Sequence, residues 1–199
     1  MTAPGEVRII GGQWKRSKLS VPVRPGLRPT PDRVRETLFN WLGQDLTGQR
    51  CLDAFAGSGA LGFEAASRGA VEVLLCELDV TLAASMRGHA QRLKASQITV
   101  RQGDALATLR AARQGAWDVV FLDPPFAQGR NEALFQQALE AAAPLLTPQG
   151  YLYLEAPREW VDDDVAALGL QRVRHGKAGQ VHYHLFERRQ EPSGDNPGP

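Results

Sequence analysis

The chain has 199 residues, 43% hydrophobic and 23% charged, with a formal net charge of +1, long enough for one domain that builds its own core. No apolar run approaches the roughly 20 residues of a membrane span, and the N-terminus lacks the basic-then-apolar layout of a secretory signal. Two cysteines are too few for a disulfide scaffold or a cysteine-based zinc site, so a soluble, cytoplasmic and monomeric protein is expected.

The small net charge hides an asymmetry. Residues 1–35 carry eight bases (Arg8, Lys15, Arg16, Lys18, Arg24, Arg28, Arg33, Arg35) against two acids, Glu6 and Asp32. The other 164 residues hold 15 bases and 20 acids. A basic arm, residues 1–31, on a mildly acidic body, residues 32–189, points the arm towards a polyanion. Ile9, Ile10, Trp14, Leu19 and Val21 interrupt the charges, so the arm is more than a solvated tail.

Residues 7–10, the Gly11-Gly12 pair and residues 13–16 read as a short hairpin, because paired glycines supply the positive φ of a tight primed turn. Pro22, Pro25, Pro29 and Pro31 then keep the chain extended. Thr30-Pro31 predicts a helix start, with Thr30 as side-chain cap and proline in the first helical position. Val34, Leu38, Trp41 and Leu42 give that helix one apolar face.

From residue 50 short apolar segments alternate with helical ones. Strands are predicted over 51–55, 71–76, 98–101, 119–122 and 151–155, and helices over 60–67, 80–94, 105–113 and 131–142. This alternation predicts an α/β fold, a mostly parallel sheet covered on both faces. Segments 170–174 and 181–188, separated by a Gly-containing loop, predict an antiparallel pair closing the sheet. Residues 190–199 are expected to be disordered on composition.

Two constellations carry chemistry. The first is Asp53-Ala-Phe55-Ala-Gly57-Ser58-Gly59-Ala-Leu61-Gly62, where the first strand of the series turns into a helix. Glycines there admit a ligand to the backbone, and the helix start offers free N–H groups. Gly57, Gly59 and Gly62 also fit the dinucleotide fingerprint, with Glu77 as the ribose acid, so a nicotinamide cofactor and S-adenosylmethionine both stay open. Asp53 favours a ligand with a cationic end over a pyrophosphate. Asp104, beside Ala105, is placed to accept a hydrogen bond from an adenine amine. Three acids at successive strand ends face one crevice if the sheet is parallel.

The second constellation is Asp123-Pro124-Pro125-Phe126 after WDVVFL. Two prolines stiffen the loop and remove two N–H donors, leaving the Asp123 carboxylate and the Pro124 carbonyl as acceptors. An exocyclic base amine is a poor nucleophile because its lone pair is delocalised. Two acceptors holding its hydrogens favour a pyramidal nitrogen, and Phe126 is placed to stack on a base swung out of its helix. His182 and His184 alternate along one strand, but no third ligand is apparent and no metal is expected.

Together DAFAGSGALGFEA, the acid of LLCELD and DPPF resemble class I S-adenosylmethionine-dependent methyltransferases. RIIGGQWKRSKL, LRPTPDRVRETLFNWL and AGQV narrow the resemblance to the bacterial guanine-N2 methyltransferases of 16S ribosomal RNA, over about residues 7 to 188. The resemblance implies a Rossmann-like sheet of seven strands. It implies cofactor contacts at Asp53, Phe55, Gly57, Ser58, Gly59, Glu77, Asp104 and Ala105, and a target guanine amine held by Asp123, Pro124, Pro125 and Phe126. The partner is then ribosomal RNA, naked or within a small-subunit assembly intermediate. Arg8, Lys15, Arg16, Lys18, Arg28, Arg33 and Arg35 are the expected phosphate contacts, while one of Arg33 and Arg35 is free to support the fold instead. Three rivals stay open: an adenine-N6 methyltransferase, a nicotinamide oxidoreductase and a non-catalytic RNA-binding module.

Overall fold

The computed structural model describes residues 5–24, 29–125 and 132–189. Arg28, Phe126 and the tail 190–199 lie outside the described residues. The chain begins with β1 (Gly5–Arg8), β2 (Lys18–Val21) and α1 (Asp32–Trp41). There follow β3 (Arg50–Asp53), α2 (Ala60–Ser67), β4 (Glu72–Glu77), α3 (Val80–Arg92), β5 (Ile98–Gln102) and α4 (Ala105–Ala111). The last part contains β6 (Trp117–Leu122), α5 (Glu132–Ala142), β7 (Leu146–Ala156), the short α6 (Asp162–Val165), β8 (Leu170–Ala178) and β9 (Val181–Arg188). No helix among the described residues is long and apolar enough to cross a membrane.

Seven strands form one sheet in the order β5-β4-β3-β6-β7-β9-β8. The first five strands pair in parallel, as the alternation predicted, and β9 and β8 add the antiparallel edge expected of segments 170–174 and 181–188. Buried on both faces, the central strands are almost wholly apolar: WDVVFL in β6, and VLLC within β4. The chain steps outward from β3 to β5 and then returns to β6 on the other side of β3. This reversal opens a crevice at the carboxyl ends of β3 and β6, the place where open α/β sheets bind ligands.

The core lies on both faces of the sheet. One side packs Phe121, Tyr153 and Leu185 against Leu38 and Phe39 of α1 and Phe63 of α2. The other packs Leu122, Leu154 and Phe186 against Phe135 and Leu139 of α5. All of α2 is buried, which its small residues permit; a Cβ on Gly62 would lie 2.0 Å from the Leu75 side chain.

The arm is the predicted antiparallel hairpin, but with other strand bounds and without the two-residue turn. β1 pairs with β2 in the register Val7↔Leu19, so residues 9–17 form the connection and Gly11-Gly12 is no two-residue turn. Instead the backbone N–H groups of Ile10 and Gly11 donate to the Glu64 carboxylate at 2.8 and 2.7 Å, and Trp14 N–H donates to Ser67 Oγ. Gly12 has φ +72°, and a Cβ there would lie 1.8 Å from the Ser67 carbonyl oxygen. These glycines let the arm close onto α2. Val7, Ile9, Leu19 and Val21 are buried in the α1–α2 core, and Trp14 packs against it.

A second correction concerns α1. Thr30 makes no capping bond, and the helix begins at Asp32 after Pro31. The Thr30 hydroxyl instead donates to Glu155, 125 residues away, at 2.9 Å.

Candidate active site

The glycine loop between β3 and α2 sits over the crevice. Gly57 and Gly59 have φ of 52° and 79°, the left-handed region that glycine enters freely. Gly59 is also tight: a Cβ there would meet Met86 Sδ and the Phe63 ring at 2.9 Å. Ser58 and Ala105 are buried, and Phe55 is half-buried.

The three predicted acids stand at successive strand ends. Asp53 closes β3, is 1% exposed, and accepts a hydrogen bond from Gly62 N–H at 3.1 Å. Burial pushes its carboxyl up to about 7; the Gly62 N–H opposes this, while Glu77 and Glu155 add to it. Glu77 closes β4 and accepts from Gly57 N–H and Asp79 N–H, both at 2.8 Å, so it ties the glycine loop to the turn before α3. Asp104 follows β5, is exposed, and caps α4 by accepting from Ala107 N–H at 2.7 Å.

This donor set fits S-adenosylmethionine. Asp53 would offer a buried carboxyl to a cationic end, Glu77 an acceptor to ribose hydroxyls and Asp104 an acceptor to an adenine amine, while Gly59 and Gly62 leave no room for a side chain. No pyrophosphate is needed to balance these charges; three carboxylates would oppose one.

Asp123 follows β6 directly and is half-buried, with Pro124 buried and Pro125 exposed. Burial first, then Glu155 and Asp53, hold the Asp123 carboxyl well above the usual range, while the Thr30 hydroxyl works against this. The structure thus brings Asp53 and Asp123 close enough to influence each other. It adds Glu155 of β7, 4% exposed, which the sequence reading passed over. An acid closing the apolar run YLYLE is the same signal that singled out Asp53 and Glu77.

The expected RNA contacts divide. Lys15, Arg16 and Arg33 are exposed; Arg8 is exposed and paired with Asp32, and Lys18 with Glu6. Arg35 is corrected: it is 1% exposed and donates to the carbonyls of Thr30 and Arg8 and to Asp32, so it supports the fold and is closed to phosphate.

A third histidine joins the predicted two. His175, His182 and His184 bring ring nitrogens within 4.8 Å of one another. Both nitrogens of His184 are engaged, however: Nε2 accepts from Trp160 N–H at 3.0 Å, and Nδ1 lies 3.2 Å from the Leu154 carbonyl. His175 Nε2 and His182 Nδ1 face each other at 3.0 Å in nearly parallel rings with centroids 5.2 Å apart, the layout of a direct N–H···N bond. These contacts describe a hydrogen-bonded histidine row.

A family model described as "Conserved hypothetical protein 95" matches residues 7–187. "Ribosomal RNA small subunit methyltransferase D" of Escherichia coli K12 is 42% identical over 198 residues, covering 96% of this chain and 94% of that protein. Its namesake in Haemophilus influenzae is 44% identical over 190 residues, covering 93% and 95%. The solved structure of yhhF from Escherichia coli superposes with a TM-score of 0.79 at 36% identity, covering 93% of this chain and 99% of that one. At 15% identity, precorrin-6y C5,15-methyltransferase from Geobacter metallireducens (TM-score 0.62, covering 85% and 93%) shares the fold alone.

Proposed function

Because the chain belongs to the ribosomal RNA small subunit methyltransferase D family, we propose that it methylates the exocyclic N2 amine of a guanine in small-subunit ribosomal RNA, using S-adenosylmethionine. The observation that carries this reading is the position of Asp123-Pro124 at the carboxyl end of β6, next to β3 and its glycine loop.

When bound, the cofactor supplies an electrophilic methyl on a sulfonium sulfur. Asp53, Glu77 and Asp104 hold its amino-acid, ribose and adenine parts in that order along the strand ends. Phe55, Gly57, Ser58, Gly59 and Ala105 shape the wall. Asp123 and the Pro124 carbonyl accept the amine's hydrogens and aim its lone pair across the crevice. Pro125 stiffens the corner, and Phe126 stacks on the flipped base. Alignment of this kind removes roughly 7–11 kcal/mol of barrier. The methylated amine is acidic and gives its proton to water, so neither a general base nor a metal is required. Arg8, Lys15, Arg16, Lys18, Arg28 and Arg33 guide the RNA backbone to the corner. The protein acts as a monomer, with residues 1–31 as the RNA-contacting arm.

Mass mapping of ribosomal RNA from cells lacking the protein tests the reading. One N2-methylguanine should be absent from the small subunit; an unchanged small-subunit map overturns it.

A further inference from the structure

Glu155 has no part in the chemistry described so far, yet it is a carboxylate only 4% exposed beside the amine corner. β6 and β7 run parallel with Leu122 opposite Leu154, so Asp123 and Glu155, one residue further on, stand side by side. Two residues earlier, Phe121 and Tyr153 meet edge to face with centroids 6.3 Å apart, which places both carboxyl groups on that same face. On the far side β9 sets Tyr183 opposite Glu155.

Glu155 Oε1 accepts from the hydroxyls of Thr30 and Tyr153, each at 2.9 Å. Thr30 belongs to the connector between the basic arm and α1, and its carbonyl accepts from Arg35 Nε at 3.2 Å. One carboxylate therefore joins the arm's connector, the sheet and the amine corner.

We propose that Glu155 is a positioning residue for the methyl-accepting pocket: anchored by the Thr30 and Tyr153 hydroxyls, it fixes the Asp123 carboxyl and keeps the pair's shared proton on Asp123. Two carboxyl groups side by side, one buried and one half-buried, do not both ionise near neutrality, and the one that receives two hydroxyl donors keeps the charge. Burial raises both groups; the Thr30 hydroxyl opposes this at each of them, and Tyr153 opposes it at Glu155 alone. The other groups facing the pair are Asp53 on β3, Tyr153 on β7, Tyr183 on β9 and, behind Thr30, Arg35 on α1. A protonated Asp123 offers one oxygen that accepts and one hydroxyl that donates. That edge matches an amine hydrogen beside an unprotonated ring nitrogen, such as guanine N2–H with N3. The inference rests on the reading that Asp123 meets the amine.

Glu155→Gln tests it, because the amide oxygen still accepts both hydroxyls while the charge is gone. The full-length variant, assayed with small-subunit RNA and S-adenosylmethionine, should lose about tenfold in kcat near pH 8 with KM for the cofactor unchanged. Asp123 then releases its proton more readily, so the alkaline limb of the kcat profile moves to lower pH. Thr30→Val should move that limb the opposite way, since the Thr30 hydroxyl favours the ionised form of both carboxyls and its loss makes the pair hold its proton longer, and Thr30→Ser should restore the wild-type profile. A wild-type kcat and profile in Glu155→Gln overturns the proposal. If that variant does not fold, an unmoved limb in Thr30→Val overturns it. Asp123→Ala separates the two readings: if it still methylates, the amine-pocket reading fails and this inference with it. If it is inactive while Glu155→Gln and Thr30→Val behave as wild type, this inference alone fails.

Discussion

Asp53 and His184 are buried groups whose titration runs in opposite senses. Asp53 has its carboxyl pushed up to about 7 by burial. A cation bound beside it would favour the ionised form, so cofactor binding at this site should release a proton below that value and tighten as pH rises from 6 to 8. Calorimetry in buffers of different ionisation enthalpy should detect this release, and Asp53→Asn should abolish it and weaken binding. His184 is brought down to about 4, burial outweighing its bond to the Leu154 carbonyl. Its folded value lies below the ordinary 6.5, so the stability it protects is complete above pH 6.5 and is lost as pH falls towards 4. The loss amounts to at most about 3 kcal/mol. Asp53 works the other way, since a raised carboxyl costs stability as pH rises from about 4 to 7. Urea midpoints of His184→Gln against the parent across pH 4–7 isolate the histidine: the parent's lead should shrink towards pH 4.

Single elements show what local sequence conveys. Strand and helix kinds from β3 to β7 followed from apolar runs and their spacing, because the inner strands β3, β4, β6 and β7 are each flanked on both edges and largely buried, while the edge strand β5 was legible from its place in the alternation. The Gly11-Gly12 pair misled, since its cause lies in α2. A hairpin turn and a close approach to Ser67 demand the same residue. Thr30 misled similarly: a hydroxyl before Pro31 reads as a cap, and its partner is 125 residues distant. Asp53, Glu77 and Asp123 were legible as acids ending apolar strands, whereas Glu155 had the same signal and no glycine or proline motif to draw attention to it. Gly12→Ala combines a positive φ with a Cβ 1.8 Å from the Ser67 carbonyl. It should cost about 2–4 kcal/mol and lower Tm by several degrees, with the arm more open to proteolysis. An unchanged Tm would show that the arm does not depend on this contact.

At the scale of the whole molecule, a basic two-stranded arm packs on one side of a sheet whose carboxyl ends carry the carboxyl groups. The arm's cations stay outward because its alternate residues, Val7, Ile9, Leu19 and Val21, are buried. Exposed Arg16 and Lys18 should each contribute to phosphate binding. Their double replacement by Ala should weaken RNA binding and reduce the slope of log affinity against log salt by about 1.5. An unchanged slope would remove the arm from the interface.

In the proposed reaction Asp123 holds a guanine amine opposite a methyl donor gripped by the glycine loop. The most direct measurement is transfer from isotope-labelled S-adenosylmethionine to small-subunit RNA, with the RNA then digested to nucleosides. The wild-type protein should place the label on N2 of one guanine, and Asp123→Ala should bind the cofactor normally and transfer none. Label on an adenine, or undiminished transfer by Asp123→Ala, would contradict the account.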